Sequence, residues 1–148
     1  MKNNKGFTLV ELLAVIVILA IILAIAVPGI SKILEGSKKS AFEADAKMLI
    51  TGINYKNLEA DFGVGDPIEL GDNVLERIEE LGGTKANYTT VKVVSLTPVA
   101  ICVETPSNSK FGEQKAIVTK SGIDPALQEF ITDTSCAELE LEETVSAQ

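Results

Sequence analysis

Histidine and tryptophan are both absent from the 148 residues. Without histidine the chain has no Ser-His-Asp or Cys-His relay and no imidazole to bind a metal. Its two cysteines are too few for a four-cysteine zinc or iron–sulfur centre. Aromatic residues make up 5%, a poor supply for a platform that stacks nucleic-acid bases. Basic residues number 13 against 21 acidic ones, and the formal charge of −8 argues against a general phosphate-binding surface. There is no repeat at a solenoid period and no low-complexity tract. No nucleophile is paired with a base, so no enzyme activity, catalytic residue, metal or cofactor is expected. The length suits one small domain.

Long apolar runs, by contrast, are concentrated in one place. Leu12 to Val27 is sixteen apolar residues without a break. Lys2 and Lys5 precede it, Glu11 lies at its edge, and residues 31–148 carry 11 basic and 20 acidic side chains. Taken from Phe7 to Ile30, the segment is 24 residues. As a helix it would extend roughly 36 Å at about 1.5 Å per residue, enough to cross a hydrocarbon core of about 30 Å. A soluble core helix would need covering on every face, which the remaining 118 residues are too few to provide while also forming a core. Ala24-Ile25-Ala26 leaves a cleaved secretory signal open. Lysines on both sides of the run (Lys32, Lys38 and Lys39 follow it) leave orientation undecided by charge. Glu11 is a lone carboxylate four residues into the apolar segment, and a charge at a membrane-helix centre costs on the order of 3 kcal/mol. Such a residue marks a functional site by default.

Lys5-Gly6-Phe7-Thr8-Leu9-Val10-Glu11, followed by the unbroken apolar helix and Pro28, resembles the prepilin signature of type IV pilins and pseudopilins. The resemblance covers about residues 1–35. It implies that a prepilin peptidase cuts after Gly6 and that Phe7 becomes the methylated N-terminus. Loss of the leader, residues 1–6, would take the formal charge from −8 to −10. It also implies that Glu11 meets the N-terminal amine, at Phe7, of a neighbouring subunit. Each group would then relieve the other's desolvation, and the pair would act as a register device. Ala14, Ala20, Ala24 and Ala26 would allow close helix approach. Pro28-Gly29 is expected to break or kink the helix.

Beyond the span, residues 31–62 read as an amphipathic continuation of the helix, with Ile30, Ile33, Leu34, Ala41, Phe42, Met48, Leu49, Ile53 and Leu58 at three- and four-residue steps. Glu35/Lys39 and Glu43/Lys47 are spaced for ion pairs. Gly63-Val64-Gly65-Asp66-Pro67 stops it. Residues 63–148 form the head. A short helix is predicted over 73–81, capped by Asp72 or Asn73 and ended by Gly82-Gly83. Strands are predicted over 89–95, 99–104 and 115–120, turning at 96–98 and 106–112. The expected fold is α+β: a long N-terminal helix packed on a small antiparallel sheet. The tail beyond about residue 140 is expected to fray. Cys102 and Cys136 enclose 33 residues. A disulfide there could stabilise by up to ~4 kcal/mol in the chain-entropy model and would staple the C-terminal segment to the sheet, as in many pilins; two buried free thiols are the alternative.

Weaker signals are Asp66, Glu69 and Asp72, whose spacing matches no EF-hand loop, the sequon Asn87-Tyr88-Thr89, and Gly82-Gly83-Thr84-Lys85, which lacks phosphate-loop spacing. Lys110, Lys115 and Lys120 are the best candidates for a local basic patch, and DNA is disfavoured by the outer charge of −9. The resemblance implies a filament subunit. Its implied partners are copies of itself, prepilin peptidase, a membrane assembly platform with its ATPase, and membrane lipid before assembly. It would pass from single-pass insertion in the cytoplasmic membrane to the cell surface. The alternatives are a pseudopilin of a type II secretion or DNA-uptake machine, or a minor pilin acting as a ligand-binding module.

Overall fold

The computed structural model describes residues 7–123 and 135–139. The leader and its Gly6, and the tail expected to fray, lie outside the described residues. The order is α1 (Leu9–Asp61), two short 3₁₀ turns (Val74–Arg77 and Lys85–Asn87), and strands β1 (Thr90–Leu96), β2 (Val99–Thr105), β3 (Gln114–Thr119) and β4 (Gly122–Ile123). The fold is α+β, one long apolar-ended helix with a four-stranded antiparallel sheet. The chain divides into two compact units, residues 1–37 and 38–148.

In the first unit α1 is long and apolar enough to cross a membrane, and none of its apolar window is buried. The break expected at Pro28-Gly29 is not observed: α1 runs through both residues without interruption. Proline removes one backbone donor and crowds the preceding turn, but intact hydrogen bonding on either side carries the helix past it. The Ser31 hydroxyl donates to the Val27 carbonyl (3.2 Å) in the turn that follows.

The second unit is built on one face of α1. Phe42, Ala46, Leu49, Ile50 and Ile53 are all buried, at the three- and four-residue steps that place side chains on one side of a helix. Ala41, Met48 and Leu58, grouped with that stripe in the sequence, are exposed instead. At about 100° per residue Met48 and Leu58 fall away from the buried face, while Ala46 and Ile50 fall on it. The Glu43–Lys47 ion pair forms at 2.8 Å. Among the described residues Glu35 and Lys39 form none.

The sheet is a simple meander in the order β1-β2-β3-β4. Leu96 faces Val99 across the Thr97-Pro98 turn, and β2 pairs with β3 from Ala100↔Thr119 to Thr105↔Gln114. β4, a two-residue strand, escaped the sequence reading because it is too short to show any periodicity. Val91 and Val93, Val99, Ile101 and Val103, and Ala116 and Val118 join the α1 face in the main core. Their neighbours Ala100, Cys102 and Ile117 point to the other side, where they cluster with Cys136 and with the flanking Val94 and Leu139. A bulge between Val93 and Ser95 shifts the β1–β2 register beside Val94.

The helix predicted over 73–81 is a 3₁₀ turn followed by further i→i+3 turns. Asn73 caps it as expected, accepting from the Leu75 amide at 3.2 Å. Val74, Ile78 and Leu81 are buried in the core. Gly82 sits at φ +88°, which explains why a glycine ends the segment. Gly52 on α1 meets this segment closely: a Cβ there would lie 2.6 Å from the Leu81 carbonyl oxygen and 2.8 Å from its Cα.

A polar pin crosses the core edge. The Tyr88 hydroxyl donates to Asp45 Oδ2, and Lys110 holds Asp45 Oδ1 at 3.4 Å while its ammonium lies 4.7 Å from the Phe111 ring centre. Phe111 packs edge-on against Phe42 (5.9 Å between centroids). Burial first, then the hydrogen bond to and charge of Asp45, push the Tyr88 hydroxyl well above its ordinary value of 10.0.

Gly52→Ala separates two effects of opposite sign. Helix propensity alone would stabilise by up to about 1 kcal/mol. Contact with the Leu81 backbone should outweigh it and leave a net loss of about 1–2 kcal/mol. Urea unfolding of the full chain in detergent, followed by its tyrosine near-ultraviolet signal, checks this; a raised midpoint would show that the Leu81 segment moves aside. Tyr88 gives a pH prediction. A folded-state pKa raised above the unfolded 10.0 contributes stability that is complete below pH 10.0 and is lost as pH rises from there toward the folded value. Unfolding free energy of the wild-type chain should therefore fall more steeply above pH 10.0 than that of Tyr88→Phe; equal slopes would refute it.

Candidate processing and assembly site

Phe7 and Glu11, singled out at the N-terminus, both lie at the start of α1. Phe7 is 91% exposed, and Thr8 precedes the first helical residue, Leu9. The first backbone N–H groups of a helix have no intrahelical acceptor, so a side chain or solvent must serve them. Here Thr8 and Glu11 do so as a reciprocal pair. The Glu11 carboxylate accepts from the Thr8 amide at 2.9 Å and from the Thr8 hydroxyl at 2.8 Å, both through Oε2. The Glu11 amide donates back to Thr8 Oγ1 at 3.3 Å. This is a capping box, Thr-x-x-Glu, and the acidic side chain in the first turn also suits the positive end of the helix dipole. The sequence carries its signal in Thr8-Leu9-Val10-Glu11 before an apolar run, a pattern that the isolated charge of Glu11 masks.

The second oxygen of Glu11, Oε1, accepts no hydrogen bond among the described residues. One oxygen thus caps its own helix and the other is open. Around it Leu9, Val10, Leu12 and Leu13 are all exposed. The arrangement can bind a donor through a carboxylate on an otherwise apolar rod.

Pro28 and Gly29 are distant in sequence from this end and lie inside the continuous helix. Nothing lies within 4 Å of a Cβ built on Gly29.

Cys102 and Cys136 are joined, with Cα atoms 5.5 Å apart. Their segment is held on the sheet by two further polar contacts. The Cys136 amide donates to Glu104 Oε1 at 2.8 Å, and the Lys92 ammonium donates to the carbonyls of Leu139 (2.7 Å) and Ala137 (3.2 Å). These partners are separated by more than thirty residues, which is why no local pattern announced them.

The weaker candidates resolve into structural parts. Asp72 accepts from the Glu69 amide at 2.9 Å and so shapes its own turn. Asn87 ends the second 3₁₀ turn beside the buried Tyr88. Lys110 is committed to Asp45, and Lys115 and Lys120 lie on and just after β3. Among the described residues no three histidine, cysteine, aspartate or glutamate side chains gather as a metal site.

Residues 1–27 match the prokaryotic N-terminal methylation motif. The chain is also similar to the type IV major pilin protein PilA of Myxococcus xanthus, at 34% identity over 87 residues. That match takes in 55% of this chain and spans 40% of the relative's length. No solved structure gives a significant match. The methylation motif at the N-terminus and the long apolar helix behind it lie beside this similarity to a type IV major pilin, of which the chain spans less than half the length.

Proposed function

We propose that the protein is the structural subunit of a type IV pilus-like surface filament. The observation that carries this reading is the bare helix. The first turns of α1 through Val27 are apolar apart from Glu11, and none of these residues is buried. On the head's stretch of α1, the face turned away from the core is also uncharged: Ala44, Met48, Thr51, Tyr55 and Leu58 follow one another at three- and four-residue steps, all exposed. A soluble monomer rarely leaves so much contiguous apolar surface open. A lipid bilayer covers the first part before assembly, and the helices of other copies cover both parts afterwards.

In this reading prepilin peptidase cuts after Gly6 on the cytoplasmic side and Phe7 is methylated. The chain crosses the cytoplasmic membrane once and is then drawn into a filament at the cell surface by a membrane platform and its ATPase. The mature amine on Phe7 of one subunit seeks the open Oε1 of Glu11 on a neighbour, while Oε2 keeps capping its own helix. In an apolar helix bundle an unpaired amine or carboxylate is costly, so a misplaced axial register is penalised twice.

Intact mass and the N-terminal peptide of the protein from its native cell test the processing. The expected chain begins at Phe7 and carries one added methyl group, and Gly6→Val should leave the leader in place. A native chain that still begins at Met1, or one cut after Ala26, would overturn the reading. Glu11→Val should insert in the membrane normally but give far fewer filaments; wild-type filament yield would remove the pairing role of Glu11.

A further inference from the structure

Three lysines stand apart from the other charges of α1. Lys32, Lys38 and Lys39 are exposed, and among the described residues none of them makes an ion pair or a side-chain hydrogen bond. Scarcity of carboxylates is not the reason, since acidic residues outnumber basic ones by 21 to 13. Lys47, Lys56, Lys85 and Lys110 all hold carboxylates. Glu35 lies among the three lysines on α1 and pairs with none of them. Residues 31–40 therefore present a net charge of +2 in a chain whose total is −8.

Position along the chain says what this charge faces. Lys32 follows the apolar segment directly, two residues after Ile30, and Lys38 and Lys39 come within twelve residues of Val27. The polar headgroup layer of a bilayer adds roughly 5–7 Å on each side of the hydrocarbon core, and a lysine stem lets its ammonium reach along or across that layer. Ammonium groups at that level, with no carboxylate of their own, are placed to meet lipid phosphates.

We propose that Lys32, Lys38 and Lys39 bind the phosphates of anionic phospholipids in the leaflet at the C-terminal end of the apolar span. This rests on the membrane-spanning reading of residues 7–30, but not on leader cleavage or filament formation. The three ammonium groups set the depth of the subunit in the bilayer before assembly. Each lysine near an anionic surface contributes on the order of fivefold in affinity.

The full chain in neutral detergent micelles, titrated with phosphatidylglycerol or phosphatidylcholine and followed by native mass spectrometry, tests this. The wild-type chain should retain phosphatidylglycerol over phosphatidylcholine by about tenfold or more. The triple variant K32Q/K38Q/K39Q should fall close to parity, while K85Q/K110Q/K120Q, with the same charge change on the head, should keep the preference. Circular dichroism of both variants shows whether the helix is intact. No preference in the wild type, or a preference that survives in K32Q/K38Q/K39Q, overturns the proposal. Displacement of phosphatidylglycerol by inorganic phosphate would also overturn it, by making the strip a free-anion site. Flotation with phosphatidylcholine vesicles separates the two readings. A chain that does not float has no membrane span. A chain that floats but shows no headgroup preference loses only the lipid-binding role of the lysines.

Discussion

The packing of one side of α1 against a sheet is the contact on which the rest of the second unit is arranged. Phe42, Ala46, Leu49, Ile50 and Ile53 present a strip only wide enough for one layer of strands, and β1 to β3 supply it with Val91, Val93, Ile101, Val103 and Val118. Each large side chain removed from water there is worth about 1.5–3 kcal/mol, an upper range because the unfolded chain is itself partly collapsed. The close passage of Leu81 over Gly52 belongs to the same contact. A side chain at 52 would hold the Val74–Leu81 segment off the helix, and with it Ile78, which fills the core beside Leu49.

A sheet packed on a single helix leaves its other face to water unless something else covers it. In β2 that face carries Ala100 and Cys102, and in β3 it carries Ile117. The residues around Cys136 cover it, and the Glu138 amide closes a local turn there on Ser135. Among the described residues, three unlike contacts tie it to the sheet: the bond to Cys102, the Glu104 carboxylate on the Cys136 amide, and the Lys92 ammonium on two carbonyls. The covalent bond restricts the unfolded chain, whereas the polar contacts act only in the folded one. Among the described residues, their combination accounts for the burial of β2 along almost its whole length, with α1 on the sheet's other face.

What could be read from the sequence follows from how local each signal is. The apolar run, the order of helix and strands, and the cap at Asn73 are written in neighbouring residues, and the structure has them within a residue or two. The choice of helix face is less local. Met48 and Leu58 are as hydrophobic as Leu49 and Ile53, and only the angle about the helix axis separates the exposed pair from the buried one. In the segment after Asn73, Val74, Ile78 and Leu81 carry helical spacing, but they are held by a 3₁₀ turn and further i→i+3 turns that end at a glycine with positive φ. Pro28 removes one backbone bond, but the many bonds on either side keep the long helix continuous through it. The Tyr88–Asp45 pin joins residues 43 apart in sequence, so nothing in the neighbourhood of either foretold it.

Glu11 brings the local and the distant arguments together. Viewed as a charge in an apolar segment, it demands a partner from another chain. Viewed as the third residue of a helix, it already has one, because Thr8 offers an amide and a hydroxyl to the same oxygen. The two views are compatible because a carboxylate has two oxygens, each with more than one acceptor site. Capping through Oε2 fixes where the carboxylate points, and it satisfies a backbone N–H that would otherwise be bare in a membrane or a helix bundle. A carboxylate held in this way loses less conformational freedom on meeting a cation than one on a free side chain. In the filament reading the capping box is therefore what makes Glu11 a precise register mark, and replacing Thr8 would blur that mark even with the glutamate in place.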